Sequence, residues 1–551
     1  MTVDVDPVDQ AVIGQALVAI AREMGAKLVR SAYSTIVREA RDSSAALLDA
    51  EGCLVAQAEL IPMQLGSLGI TFRPCAERSP VETLEEGDFY ITNDPYHGGQ
   101  HLPDVFIFTP IFFDGGLVGF SASVAHHLDL GGGSPGLNAG ATDVYQEGLI
   151  IPPSKYNLDR DWNGGPLERL IAANIRVPEQ TIGDFNAQFA ANSVGAARVR
   201  ELCRKYDAET VKATMQGLLA YSERRFRAAL AEVPDGVYEG EDAVDDDGLD
   251  DRPLRVKAKV TVAGESASVD FTGTSGQVAR NLNAPFASTV SAAFNCLKSV
   301  LTSPDIPFND GCKRPVTVHA PYGSLLNPRP PAPVRARMEA CYRAYNAVMK
   351  ALAKAVPDRV IAAGYDTTFA NCLSFLGKDG YRVVIDLPGG GYGASARADG
   401  ADALSGPLEN CSNTPIEVMD MEYDFFRVVG FALRPNSCGH GRTRGGLGLV
   451  RRYEILEDGV NFAIYADRFR IPAEGLLGGE EGRCGSCKVI RDGKTIPVRS
   501  KDSLVLKKGD LLVVETGGGG GYGPPSERPA ERVARDAADG LVSEATAREV
   551  Y

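Results

Sequence analysis

Ile13, Leu17, Ile20, Met24 and Leu28 recur at spacings of four and three, the period of a single buried helical stripe. Asp6-Pro7 stands ahead of them, an N-cap followed by proline at the first helical position, so the spacing predicts an amphipathic helix from Pro7. From Ser43 the pattern changes to short apolar runs between turn residues, SSAALLDAEGCLVAQ, GDFYITNDPY and DVFIFTPIFFDGGLVGFSASVAHH. These read as strands, with 105–112 and 117–124 a hairpin around Asp114-Gly115-Gly116. Proline is absent from 179 to 231, where Ile182, Phe185 and Phe189 form one stripe and Leu202 and Tyr206 continue it. That segment is one or two long helices, with Asp207 a candidate N-cap between them. Eight of the thirteen residues 239–251 are acidic; the calcium-loop pattern fails because Ala243 falls at its first ligand position, leaving a solvated acidic turn.

Residues 253–273 alternate as a two-stranded antiparallel unit, 284–302 and 335–356 are helix-rich, and 366–515 is strand and glycine loop. A terminal helix over 528–539 ends on Gly540. The chain therefore divides into an N-terminal α/β region (1–177), long helices (178–233), a mixed strand and helix region (234–365), and a glycine-rich β region with a C-terminal helix (366–551). The fold class is α+β, with mixed, largely antiparallel sheets and long helices in the middle of the chain.

Composition narrows the function. At 551 residues, 44% hydrophobic and 23% charged, the chain is an ordinary globular protein, not disordered, collagenous or coiled-coil. Its net charge of −15 opposes binding to a phosphate backbone, so no nucleic-acid partner is expected. The N-terminus lacks a signal-peptide core and no run of about 18 apolar residues occurs, which excludes a membrane span. Eleven cysteines, an odd number scattered from Cys53 to Cys487, suit reduced thiols and a cytoplasmic setting.

Four of the six histidines lie between positions 97 and 127, in NDPYHGGQHLPDV and SVAHHLDLGGG. His101 and Asp104 share a turn, and after a hairpin the chain returns with His126, His127 and Asp129, so imidazoles and a carboxylate from neighbouring strand ends can hold one divalent ion. Zn, Mn and Fe all suit such a set, and Asp94 and His97 are reserve ligands or supporting partners. The pair Cys484/Cys487 with Cys438 and His440 does not have zinc-ribbon spacing. The loops LPGGGYG (387–393) and ETGGGGGYG (515–523) either line a site or make tight turns. Gly493-Lys494-Thr495 ends like a phosphate loop, but Lys488 occupies the position of its first glycine, so ATP, if used, is bound by another chain.

ARDSSAALLDAEG, ITNDPYHGGQHLPDV, SVAHHLDLGGGSPG, YQEGLIIPP, NIRVPEQTIGDFNAQFAAN, VDFTGTS, NPRPPAPV, NTPIEVMD and ETGGGGGYGPPSER, in that order from about residue 8 to 545, resemble the hydantoinase B/oxoprolinase family. The resemblance implies a hydantoinase B-like fold and a hetero-oligomer with a hydantoinase A-type ATPase. That partner binds ATP and phosphorylates the carbonyl oxygen of a cyclic amide, and this chain opens the ring. It further implies a metal on the H-x-x-D pair and a later histidine, here His101, Asp104 and His126. His127 and Asp129 are then the candidate proton carriers, with Glu39 a third catalytic candidate. Arg41 and Asp42, with Gly389, Gly390, Gly391 and Tyr392, form the candidate substrate- or phosphate-binding set, although Glu39, Arg41 and Asp42 also fit a surface ion-pair network. Gln64 departs from the histidine expected of hydrolase members, whereas HLPD and AHHLD look hydrolase-like. A subunit of an ATP-dependent, biotin-independent ketone carboxylase, a non-catalytic scaffold and a stand-alone metallohydrolase remain the alternatives. Hydantoins, 5-oxoproline and larger lactams present the same amide, so the substrate stays open.

Overall fold

Asp6 accepts the Val8 N–H at 2.9 Å and starts the helix Pro7–Ser31, which buries Ile13, Leu17, Ile20, Met24 and Leu28. The computed structural model describes residues 5–551. Strands β1 (Ser43–Asp49), β2 (Leu54–Gln57), β3 (Asp88–Thr92), β4 (Asp104–Phe113), β5 (Gly116–His126) and β6 (Ser154–Asn157) make an antiparallel sheet in the order β2-β1-β5-β4-β3-β6. The β4–β5 connection is Asp114-Gly115, with φ of 48° and 78°, the two positive values that a tight type I′ turn requires.

Period-two alternation divides this sheet. Phe106, Phe108, Phe120, Ala122 and Val124 face the helix Pro62–Arg78 and its Leu65, Leu68 and Phe72. Val105 and Ile107 face the helix Pro178–Tyr206, where Phe185 covers them. The helix Pro62–Arg78 lies within the region read as strands. Gly66, Gly69 and Pro74 interrupt its periodicity, and the sheet's aromatic face supplies the packing that its own propensity lacks.

The long central segment is two helices, Pro178–Tyr206 and Ala208–Ala231, joined at Asp207 (φ 61°), whose carboxylate accepts the Thr210 N–H at 2.8 Å. The acidic run that follows is solvated only in part: Glu239, Glu241 and Asp251 are exposed, Asp242, Asp245 and Asp246 buried. Asp245 is buried and accepts the N–H groups of Phe469 and Ile471 at 2.6 and 2.8 Å, while buried Asp242 pairs with Arg468 at 2.8 Å. Its partners come from more than 200 residues away, so no local pattern displays them.

β7 (Gly236–Val244), β8 (Leu254–Ala263), β9 (Ser266–Asp270) and β10 (Val316–His319) form a second sheet, crossed by the helix Met338–Leu352. β11 (Ala370–Gly377), β12 (Gly380–Asp386), β13 (Phe426–Leu433), β14 (Leu449–Ile455), β15 (Val460–Tyr465), β16 (Ser486–Arg491), β17 (Lys494–Val498), β18 (Lys501–Leu506) and β19 (Leu511–Glu515) form two antiparallel sheets, β12-β11-β15-β18 and β13-β14-β19-β16-β17. They share a core in which Leu373 and Phe462 meet Tyr453 and Val514.

The glycine loops close this half. Gly391 N–H donates to the Gly517 carbonyl at 2.9 Å, Gly446 N–H to that of Tyr392 at 2.8 Å, and Gly519 N–H to that of Gly446 at 3.0 Å. A Cβ on Gly391 would stand 2.0 Å from the Gly446 oxygen and 2.3 Å from the Gly519 nitrogen. The loops are therefore layers of backbone stacked on backbone, where only glycine allows the approach. Gly389, Gly390, Gly391 and Tyr392, expected to bind substrate or phosphate, belong to these layers. Of that loop only Leu387 reaches the cavity described below.

All eleven cysteines are free thiols. No helix among the described residues is long and apolar enough to cross a membrane.

Candidate metal centre

The register of the first sheet assembles a cluster at one end. Asp104, the first residue of β4, pairs directly with His126, the last residue of β5. His126 N–H donates in turn to the Asp42 carbonyl at 3.0 Å, one residue before β1. Directly opposed residues on adjacent strands project to the same face, so Asp42, His126 and Asp104 line up across three neighbouring strand ends on the face that carries Phe106 and Val124. The turn that brings the chain into β4 adds His101, with Asp104 N–H bonded to its carbonyl at 3.1 Å.

One ligand atom each from His101, Asp104 and His126 lie within 4.8 Å of one another. His101 is 4% exposed and Asp104 fully buried. His101 Nδ1 donates to the Arg335 carbonyl at 3.0 Å, and because a carbonyl only accepts, its Nε2 carries the lone pair. That Nε2 stands 3.3 Å from Asp104 Oδ2 without a hydrogen-bond partner. Burial, then the Arg337 guanidinium, pushes His101 down to about 3, so the ring is a neutral donor. Burial raises Asp104, but the Arg337 guanidinium against its Oδ2 opposes this and holds it below the usual carboxylate range.

Asp42 belongs to this cluster. Its Oδ2 is 3.4 Å from His126 Nδ1, and the Gln64 amide donates to Asp42 Oδ1 at 2.9 Å and to Asp104 Oδ1 at 3.2 Å. Burial pushes Asp42 up to about 7 against the pull of His126, with Asp104 and Glu409 adding to the rise. Two imidazoles and two carboxylates, of which His101 and Asp104 are buried and His126 and Asp42 partly so, with His101 Nε2 and His126 Nε2 unpartnered, match the donor set of a divalent cation. Gln64, noted in the sequence only as a departure, ties the two carboxylates together.

The cluster opens into a small cavity of about 60 Å³. Its walls are mostly apolar, including Ile36, Met63, Leu137 and Ile385, with Arg335, Arg337, Glu339, Thr368 and Glu409 as the polar groups. Arg337 donates to Asp104 Oδ2 at 2.6 Å and to Gln100 Oε1 at 2.9 Å. Glu339 Oε2 and Glu409 Oε1 are buried and unpartnered. Burial pushes these carboxyls up to about 7 and about 8, with the Asp467 carboxylate adding to the rise at Glu339. None of these five polar groups stands out in the sequence as a site residue. The one local signal is the charged alternation Arg335, Arg337, Glu339 directly after the proline-rich NPRPPAPV.

Four other expected site residues lie elsewhere. His127 follows His126 and faces the opposite side of the sheet, stacked on Phe185 at 3.9 Å and bonded through Nε2 to Gln188 Oε1 at 3.0 Å. Asp129 is taken by Arg176, whose N–H and guanidinium donate at 2.6 and 2.9 Å. Glu39 pairs with Arg38 at 2.8 Å, and Arg41 is exposed with φ 61°. None of the four, expected as proton carriers (His127 and Asp129), a catalytic group (Glu39) and a substrate-binding group (Arg41), lines the cavity. The reserve ligands Asp94 and His97 bond to each other at 2.8 Å, outside the cluster. His440 Nδ1 bonds to the Tyr551 hydroxyl, away from zinc chemistry. His127→Phe is expected to leave metal content unchanged and to destabilise the chain by about 1–3 kcal/mol through the orphaned Gln188 amide. Metal analysis with denaturant unfolding checks this, and metal loss from a folded variant would contradict it.

Fold and cavity together define an α+β protein with a buried His/Asp site suited to a divalent cation. The Hydantoinase B/oxoprolinase family model matches residues 6–525, and the chain belongs to this family. It is 35% identical to one chain of a putative D-/L-hydantoinase from a Pseudomonas species, over 99% of this chain and 95% of that protein. The crystal structure of an ATP-dependent caprolactamase from Pseudomonas jessenii superposes with a TM-score of 0.89 at 28% identity, covering 99% of this chain and 96% of that one. A nucleotide-free acetone carboxylase structure shares the fold, with a TM-score of 0.86 at 19% identity, over 99% of this chain and 79% of that one.

Proposed function

We propose that this chain is the metal-bearing subunit of an ATP-dependent cyclic amidohydrolase, working in a cytoplasmic hetero-oligomer with a hydantoinase A-type ATPase. The observation that carries this reading is the buried, unpartnered lone pair of His101 Nε2 beside Asp104 and His126, facing a largely apolar cavity. His101, Asp104 and His126 would hold the ion, with Asp42 beside them; Zn, Mn and Fe each fit. A divalent ion there supplies Lewis acidity, polarising an oxygen of the substrate and acidifying water toward a pKa of about 7.

The chain's own groups provide the rest. Gln64 and Arg337 keep the carboxylates oriented toward the cluster. Ile36, Met63, Leu137 and Ile385 exclude bulk water, which protects an activated carbonyl from competing hydrolysis. As the ring C–N bond breaks, the nitrogen must gain a proton. Glu409, raised to about 8 by burial and with Oε1 free in the cavity wall, is protonated at neutral pH and takes that role in place of His127 and Asp129. With no phosphate loop in this chain, phosphorylation of the carbonyl oxygen falls to the partner.

Reconstitution with the partner ATPase, ATP and a panel of hydantoins, 5-oxoproline and lactams tests this. The expected result is ring-opened acid formed without bicarbonate; turnover that requires bicarbonate would replace the hydrolase by the carboxylase, and turnover without ATP or partner would make the chain a stand-alone metallohydrolase.

A further inference from the structure

Arg335 carries a charge that the protein does not answer. It is 6% exposed, and its Nε and one terminal nitrogen are fully buried without any acceptor among the described residues. Glu147 lies close enough for its charge to act on Arg335 but forms no hydrogen bond with the guanidinium, its carboxylate accepting the backbone N–H groups of Val334 and Arg335 at 2.9–3.0 Å. The Arg335 carbonyl is likewise used, by His101 Nδ1. A guanidinium presents donors in a fixed fork that fits a carboxylate or phosphate in two parallel hydrogen bonds. A buried unpaired charge is strongly unfavourable unless a ligand completes it. Arg335 lines the same cavity as the cluster, with Leu137 and Tyr465, whereas Arg337 spends its terminal nitrogen on Asp104 and Gln100.

We infer that Arg335 is the oxyanion anchor of this cavity: its free guanidinium edge binds an anionic oxygen group of the substrate, either a carboxylate carried on the ring or the phosphoryl group placed on the amide oxygen. The inference rests on reading the cavity as the substrate site and adds a specificity determinant to it. Arg335 favours an anionic ligand over a neutral lactam of the same ring size.

Equilibrium binding and thermal unfolding of the full chain as purified, without ATP or partner, test this. The probes are 5-oxoproline, neutral 2-pyrrolidinone and inorganic phosphate. Wild-type chain is expected to bind 5-oxoproline or phosphate. Arg335→Met weakens that binding by about 100-fold, the scale of losing one partner of a buried charge pair. Arg335→Lys retains part of it, and 2-pyrrolidinone is unaffected by either change. The ligand-free Arg335→Met chain unfolds at the same temperature as wild type or higher, since the substitution removes an uncompensated buried charge, but it loses the upward shift that the anion gives wild type. Arginine-dependent binding of 5-oxoproline identifies a ring carboxylate as the anion; arginine-dependent binding of phosphate alone identifies the phosphoryl group. The inference is overturned if Arg335→Met binds both anions as wild type does, or if 2-pyrrolidinone weakens by the same factor. Either result leaves ATP-dependent ring opening standing, and absence of all three ligands from the wild-type chain would sink the substrate-site reading along with the anchor.

Discussion

His101→Ala is expected to release the divalent ion and to abolish ring opening in the reconstituted complex while the chain stays folded. The ring supplies the one donor atom in the cluster that is aimed by a separate hydrogen bond, from Nδ1 to the Arg335 carbonyl, and left free at Nε2. Its removal takes away a ligand, so the loss exceeds the roughly 10–100-fold that follows from deleting a mere supporting contact of a metal ligand. Asp104→Asn is expected to fall in the same range, and the double variant to be scarcely worse than either single one, because the ligands act as a unit. Metal analysis and single-turnover ring opening check both. A His101→Ala chain that keeps its ion and its activity would remove the cluster from the mechanism.

Gly391→Ala is expected to prevent folding rather than to impair binding. Its new Cβ would stand 2.0 Å from one backbone atom and 2.3 Å from another, in layers that are hydrogen-bonded on both sides. Backbone cannot swing away as a flexible side chain does, so the destabilisation exceeds about 4 kcal/mol, much of the margin of a typical domain. Gly493→Ala is the control. That turn glycine has φ +74° and nothing within 4 Å of its missing Cβ, so only conformational strain of about 1–2 kcal/mol applies. Soluble yield and melting temperature read the difference. A Gly391→Ala chain that melts with wild type but fails to bind substrate would return the loop to the site.

Much of the cluster is legible in the chain because its logic is local. A turn with His101 and Asp104, a hairpin and a return at His126 put three donors at the ends of two adjacent strands, and strand geometry does the rest. The same alternation explains the misplaced neighbour: a residue one step beyond His126 turns to the other face, so His127 packs on Phe185. The cavity's other polar groups come from distant segments. Arg335, Arg337 and Glu339 stand at the start of a buried helix, and Glu409 on a loop, where only tertiary packing strips their water and makes their charge matter. Asp42 reads in the sequence as a substrate ligand, and the chain direction into β1 sets it beside His126. The glycine runs are ambiguous in the sequence because glycine serves close approach to a ligand and close approach to backbone equally well. The helix Pro62–Arg78 is hidden by residues that weaken a helix locally and are tolerated because an aromatic sheet face covers them.

The central claim is that this chain carries a divalent ion with an open position facing the substrate cavity. Anomalous diffraction from crystals of the metal-loaded chain, recorded at the Zn, Mn and Fe edges, tests it most directly. One peak is expected, bound by His101, Asp104 and His126, with Asp42 beside it and at least one position open to the cavity. A peak elsewhere, such as beside Cys438 and Cys484, or an ion closed off by four protein ligands with no open position, would contradict it and leave the chain a scaffold.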